Sequence, residues 1–178
     1  MRLKQIVAAV LAGFFSFVIY AETTPSEAQQ FQTLCTDTWM KKLDDVTDKV
    51  TYKKLGKKYC DCAARQSLED DADVQKAIRL CMSKTLLHDA MESLENEIGI
   101  AKAKDTDIIQ YCQNRWALVD PDQTDHDREQ ADDYCNCVKP NLRNLIKKSE
   151  NMTDKQYDDS IDTIASDCSD SAIVQQPL

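Results

Sequence analysis

Four of the eight cysteines in this 178-residue chain stand in two Cys-x-Cys pairs, Cys60/Cys62 and Cys135/Cys137. Thiols at this spacing have three chemistries open to them: thiol–disulfide exchange, soft-metal binding, and covalent stapling of neighbouring elements. Exchange needs a lowered thiolate pKa and access, usually at a helix N-terminus. Lys57 and Lys58 precede the first pair, but Asp132 and Asp133 precede the second, where negative charge disfavours a thiolate. For a soft metal such as copper or zinc, the spacings do not match a zinc ribbon or finger, and Cys-x-x-Cys is absent. Stapling accounts for all eight cysteines, because an even number in an exported chain reads as a disulfide framework. The sequence therefore predicts no metal and no cofactor.

The cysteines form two matching sets. Cys35, Cys60, Cys62 and Cys81 make the first, and Cys112, Cys135, Cys137 and Cys168 the second. The match extends past sulfur: Trp39 follows Cys35 and Trp116 follows Cys112 by four residues, while Tyr59 and Tyr134 directly precede the pairs. The offset is 77 residues at Cys-x-x-x-Trp and 75 at Tyr-Cys-x-Cys, as in a duplicated module. The fourth cysteine fits least well, since Cys62 to Cys81 is 19 residues and Cys137 to Cys168 is 31.

What must position these residues is helix. Three glycines and four prolines are too few for a strand-and-turn protein, and long segments favour helix formers. In a helix, residues two apart point about 200° away from one another. Neither Cys-x-Cys can then readily bridge itself; each should bond two neighbouring helices. Cys35 and Cys81 are each expected to pair with one of Cys60/Cys62, and Cys112 and Cys168 with one of Cys135/Cys137, which leaves two arrangements per module.

The spacing predicts a helix from Thr24-Pro25-Ser26-Glu27 to about Leu43, with Phe31, Leu34, Cys35, Thr38 and Trp39 on one face. A second runs from Asp48 to about Leu68. A third, capped within Asp70–Asp73, reaches about Ala103 with a stripe including Ala77, Ile78, Cys81, Leu87, Met91 and Leu94. The second module opens near Thr106 with Ile108, Ile109, Cys112 and Trp116. After the polar stretch Asp120–Asp127 a helix starts near Asp127 and kinks or restarts at Pro140. Thr153-x-x-Gln156 caps a last helix, and Ser169–Leu178 reads as a frayed tail. The expected fold is all-α: modules 22–104 and 105–178, each disulfide-stapled, packed as one helical bundle.

Residues 1–21 read as a secretory signal peptide, with Arg2 and Lys4 before an apolar run from Ile6 to Tyr20 and a cut expected after Ala21. That run is short for a membrane span, no cysteine follows the cut to carry a lipid, and no second apolar run offers a transmembrane anchor. The expected place is the periplasm or beyond. Without Arg2 and Lys4 the chain carries 20 basic and 31 acidic side chains. Residues 105–178 hold 16 of the acids and 7 of the bases. Such acidity excludes nucleic acid as a partner, because phosphate neutralisation needs a basic face.

Two further groups could bind something. Lys49, Lys53, Lys54, Lys57 and Lys58 make a basic helix stripe beside Tyr52 and Tyr59, a candidate surface for an anionic lipid head group or an acidic partner, against the alternative of an ordinary solvated face. Asp120, Asp122, Asp125, Asp127 and Glu129 could meet a hard cation, but an EF-hand would need Gly at the sixth place and Glu at the twelfth. A solvated loop feeding a helix cap fits better. His88 and His126 read as surface residues, and Trp39 and Trp116 as core.

With the signal peptide and the doubled motif Tyr59–Cys62 and Tyr134–Cys137, the chain resembles small, cysteine-rich, all-helical proteins exported by Gram-negative bacteria, among them type II secretion substrates of intracellular pathogens. The resemblance implies an exported, virulence-associated factor, and no catalytic residue carries over from it. The leading expectation is a non-enzymatic binding protein with a protein partner. The alternatives are anionic-lipid binding through the lysine stripe, and a periplasmic thiol-redox or metal-handling protein.

Overall fold

The computed structural model describes residues 27–66 and 70–171, so the leader reading at 1–21 and the cap at Thr24–Ser26 lie outside the described residues. Six helices carry the fold: α1 (Glu27–Met40), α2 (Lys49–Ala63), α3 (Asp71–Glu97), α4 (Asp105–Val119), α5 (Asp125–Ile146) and α6 (Asp154–Cys168). Short 3-10 turns lie at Leu43–Asp45, Ile100–Lys102, Ser149–Asn151 and Ser169–Ser171. The protein is all-α, with no strand among the described residues.

Local side chains set most boundaries. The Asp48 carboxylate accepts from the Thr51 N–H at 3.0 Å and opens α2, and Asp70 accepts from Asp73 at 2.8 Å to open α3. Thr153 and Gln156 form the expected capping box on α6. Helix α5 starts two residues earlier than its sequence suggests. Thr124 caps it, and Asp127 is the box partner, accepting from the Thr124 N–H at 2.9 Å. Asp127 is consequently buried rather than part of an open acidic loop.

Five expectations need correction. Helix α1 ends at Met40 and α2 at Ala63, short of Leu43 and Leu68. Helix α3 ends at Glu97, not Ala103, because Gly99 adopts φ 85° and its N–H turns back to the Glu95 carbonyl at 3.0 Å. Pro140 does not restart α5, which runs through it as one helix. Pro140 and Asn136, whose carbonyl loses its intrahelical donor, both lie on the exposed face, where water replaces the missing bond. Ser169–Ser171 is an ordered turn packed on α5 and α3; residues 172–178 lie outside the description.

The two cysteine sets make the same three-helix pattern. Cys35–Cys60 ties α1 to α2 and Cys62–Cys81 ties α2 to α3. Cys112–Cys135 ties α4 to α5 and Cys137–Cys168 ties α5 to α6. The middle helix of each set is stitched on both sides, and one of the two arrangements left open is selected, the same in both copies. The 31-residue spacing in the second copy has a simple cause: α5 continues past Cys137 to Ile146, whereas α2 ends one residue after Cys62.

The sets do not stand apart. Helix α3 packs most extensively on α4, and also on α6 and α2, and one apolar cluster runs through both modules. Helix α3 is accordingly buried around its whole circumference from Cys81 to Met91 apart from Lys84 and His88, taking in Ser83, Thr85 and Asp89. A one-sided stripe therefore describes it poorly. The Tyr134 hydroxyl donates to the Ser83 carbonyl at 3.1 Å, and Arg143 binds Asp105 at 2.7 Å and the Ala103 carbonyl at 2.6 Å, clasping the α3–α4 link. At the other extreme α1 packs mainly on α2 among the described residues, so Cys35 and Trp39 are covered while Leu34, expected on the same face, is 67% exposed.

The repeated tryptophans are core residues with different surroundings. Trp39 lies between Tyr52 and Tyr59, at ring separations of 5.0 and 5.3 Å, and its indole N–H donates to the Tyr52 carbonyl at 3.0 Å. This seat exists because residue 56 is glycine: a Cβ there would stand 2.4 Å from Trp39 Cδ1. The second copy has Ala131 at the matching place, 75 residues on. Trp116 packs edge-on against Tyr134 at 5.4 Å, and its indole N–H is buried with no partner.

Candidate functional site

The cysteines offer no free thiol. All eight are paired, and the members of each Cys-x-Cys hold different partners on different helices. Among the described residues no three His, Cys, Asp or Glu side chains are grouped to hold a metal ion. No helix among them is long and apolar enough to cross a membrane.

The lysine stripe lies on α2 as its spacing predicts, but four of its five ammonium groups already meet carboxylates. Lys49 pairs with Asp44 at 2.7 Å and Lys57 with Asp61 at 2.8 Å. Lys54 bridges to Glu92 at 2.8 Å and Asp89 at 3.4 Å, and Lys58 reaches Glu92 at 3.5 Å. The hydrogen bond from Lys54, helped by the charges of Lys54 and Lys58 and opposed by burial, holds the Glu92 carboxyl below its ordinary pKa. Lys53 alone carries no partner among the described residues. The stripe thus binds α2 to α3 as much as it faces outward.

Beneath it lies a group that sequence reasoning missed. Asp89 is 2% exposed and accepts from Arg115 Nε at 2.6 Å, while the same guanidinium also bonds the Ser93 hydroxyl. With Lys54 this joins α2, α3 and α4. Arg115 and Asp89 are 26 residues apart on different helices, so no local spacing announces them. An acid between the apolar pairs Leu86-Leu87 and Ala90-Met91 of α3 and an arginine beside Trp116 were the only signals.

The second group missed is a cleft of about 530 Å³ between α3 and α6, within the size range of ordinary ligand sites. It draws on both modules. Helix α3 supplies His88, Met91, Glu92 and Glu95, and Ile100 comes from the turn after it. Glu150 and Met152 come from the segment entering α6, whose first turns add Asp154, Tyr157, Asp158 and Ile161; Lys58 reaches in from α2. Met91 and Ile161 are buried in the floor, with Ile100, Met152 and Tyr157 half-buried above them.

The cleft's rim is acidic. Glu95, Glu150 and Asp154 are exposed, and none has an ion-pair partner among the described residues. Asp158 meets only His88 Nδ1, at 3.8 Å; the other ring nitrogen lies 3.0 Å from Asp162, which Lys84 also reaches at 3.2 Å. His88, expected as a surface residue, is thus a half-buried clamp between α3 and α6, while His126 is exposed. The Tyr157 hydroxyl is buried without a hydrogen-bond partner among the described residues, and burial, with Glu95 and Asp158 nearby, raises its pKa above the ordinary phenol value. Apolar floor and unpaired carboxylate rim together suit selective binding. No family model, curated protein or solved structure matches the chain, so what it binds is argued from its own residues.

Proposed function

We propose that this is an exported, non-enzymatic binding protein that holds a protein partner in the α3/α6 cleft. The observation that carries the reading is the cleft itself: an apolar floor of Met91, Ile100, Met152 and Ile161 beneath carboxylates that no cation pairs among the described residues. Most other charges near it are spent on internal pairs, whereas Glu95, Glu150 and Asp154 are left for something outside. Four disulfides support an oxidising compartment, and with the leader reading and the resemblance to exported helical proteins they support secretion or periplasmic residence. The α6 wall lies within the Cys137–Cys168 loop, and that staple favours a preformed site, which lowers the ordering cost of binding. The anionic-lipid reading is weaker, because four stripe lysines are already paired.

A photo-activated cross-linker placed at Asp154 tests this in the native cell extract, beside the same group placed at Glu129 on α5. A discrete protein adduct from Asp154 alone is expected. Equal adducts from both positions, or none from Asp154, would overturn the assignment of the cleft.

A further inference from the structure

Resting on that reading, we infer that the occupant of the cleft is a cationic amphipathic peptide segment, an apolar anchor side chain flanked by Lys or Arg. Both halves of this chemistry are on the cleft's walls. Its floor is thioether and branched aliphatic, from Met91, Met152, Ile100 and Ile161, a surface that accepts anchors of different shape because methionine side chains readjust. Its lining holds five carboxylates, Glu92, Glu95, Glu150, Asp154 and Asp158, against one lysine and one histidine. Glu92 is already engaged by Lys54 and Lys58, and Asp158 faces His88. The remaining three stand at α3's last turns and at the entry to α6, so they border the cleft from opposite sides.

An anionic partner meets uncompensated repulsion there. A neutral apolar one fills the floor and leaves three carboxylates with nothing to pair. A Lys or Arg side chain satisfies both surfaces, because its methylene stem covers apolar area while its head reaches a carboxylate. The charge of the cleft also adds to the field of a chain with net charge −9, which speeds the arrival of cations and weakens with salt.

The test uses the full oxidised protein and three fluorescent helical peptides: one of Leu and Lys, one with Glu in place of Lys, and one with Ser in place of Leu. Anisotropy is read at low and high salt. The Leu/Lys peptide should bind about tenfold or more tighter than either companion, and salt should weaken it. The double variant Glu95→Lys/Glu150→Lys should lose about tenfold in affinity, and Glu129→Lys/Asp133→Lys on α5, with the same change in net charge, should lose far less. Circular dichroism confirms that both variants fold. Equal losses from the two doubles would mean that overall charge, not the cleft, attracts the peptide, and would overturn the inference. So would tighter binding of the Leu/Glu peptide, or no saturable binding of the Leu/Lys peptide at low salt. A tighter Leu/Glu peptide that Glu95→Lys/Glu150→Lys further strengthens would leave the cleft as the binding site and remove only its cationic assignment.

Discussion

Gly56→Ala sets two physical effects against each other, and the structure decides which wins. Gly56 lies in the middle of α2, where alanine is the better helix former by up to about 1 kcal/mol. On propensity alone the substitution stabilises. The new Cβ, however, would sit 2.4, 2.6 and 2.7 Å from Trp39 Cδ1, Nε1 and Cγ, where carbon atoms prefer about 3.5–4 Å. The indole would have to retreat by about 1 Å. It has little room, being 3% exposed and held by Tyr52 and Tyr59. Overpacking of this kind costs about 1–3 kcal/mol. Retreat also stretches the indole bond to the Tyr52 carbonyl, and leaving that buried donor unmet costs about 1–3 kcal/mol more. With the propensity gain subtracted, Gly56→Ala should destabilise by about 3 kcal/mol, or roughly 6–12 °C in Tm for a chain of this size. Urea unfolding of the oxidised protein, followed by tryptophan fluorescence, reads the change. The second module supplies the mirror experiment: Ala131→Gly should also destabilise, by about 1 kcal/mol, through lost propensity. A Gly56→Ala protein as stable as wild type or more so would refute the reasoning, because propensity would then have prevailed and the Trp39 seat would be soft.

Three other outcomes follow from the same structure. Arg115→Met leaves the Asp89 carboxylate buried with Lys54 as its remaining cation, and should cost about 3–5 kcal/mol in denaturant unfolding; Asp89→Leu added to it should recover most of that loss. Cys62→Ala/Cys81→Ala opens a loop of 19 residues and should cost about 3 kcal/mol, while unreduced wild-type protein unfolded in guanidinium should show no reactive thiol. Burial holds the Tyr59 phenol at about 12, and burial with the Asp45 and Asp120 charges does the same for Tyr52. Their folded pKa lies above the unfolded value of about 10, so the neutral-phenol contribution is complete below pH ~10 and is lost as pH rises towards ~12. Tyrosinate absorbance of the folded protein should lag that of the urea-unfolded chain across this window, and coincident curves would contradict the burial of these rings.

What the sequence made legible was local. Asp48, Asp70 and Thr153 cap helices because an acceptor stands three residues before the N–H that needs it, and that arrangement is visible in one turn of chain. The 200° separation within each Cys-x-Cys likewise sent its members to different helices before any neighbour was known. The unreadable parts depended on what a helix packs against. Leu34 has the same spacing as Cys35 and Trp39 but is exposed, since among the described residues α1 packs chiefly on α2. Helix α3 packs on three helices and its middle, Cys81–Met91, is buried nearly all round, which erases the amphipathic pattern that marks a surface helix. Helix α3 stops at Glu97 because Gly99 takes a positive φ, a conformation that the run of residues up to Ala103 does not announce. The α3/α6 cleft lay furthest from view. Glu95 and Asp154 come together only through the packing of two helices from different modules, and neither belongs to a motif.

Disulfide connectivity has a mechanical consequence as well. When the chain is pulled from Glu27 and Ser171, tension passes through sulfur and skips every bridged loop. Cys35–Cys60, Cys62–Cys81, Cys112–Cys135 and Cys137–Cys168 leave just one long stretch that can lengthen, from Cys81 to Cys112. It measures roughly 100 Å when fully extended. That stretch contains most of α3, the Gly99 turn and the first half of α4. A load on the chain ends therefore draws Glu92, Glu95 and Ile100 away from α6 while the sulfur-bridged loops keep their length. The weak point under tension coincides with one wall of the cleft.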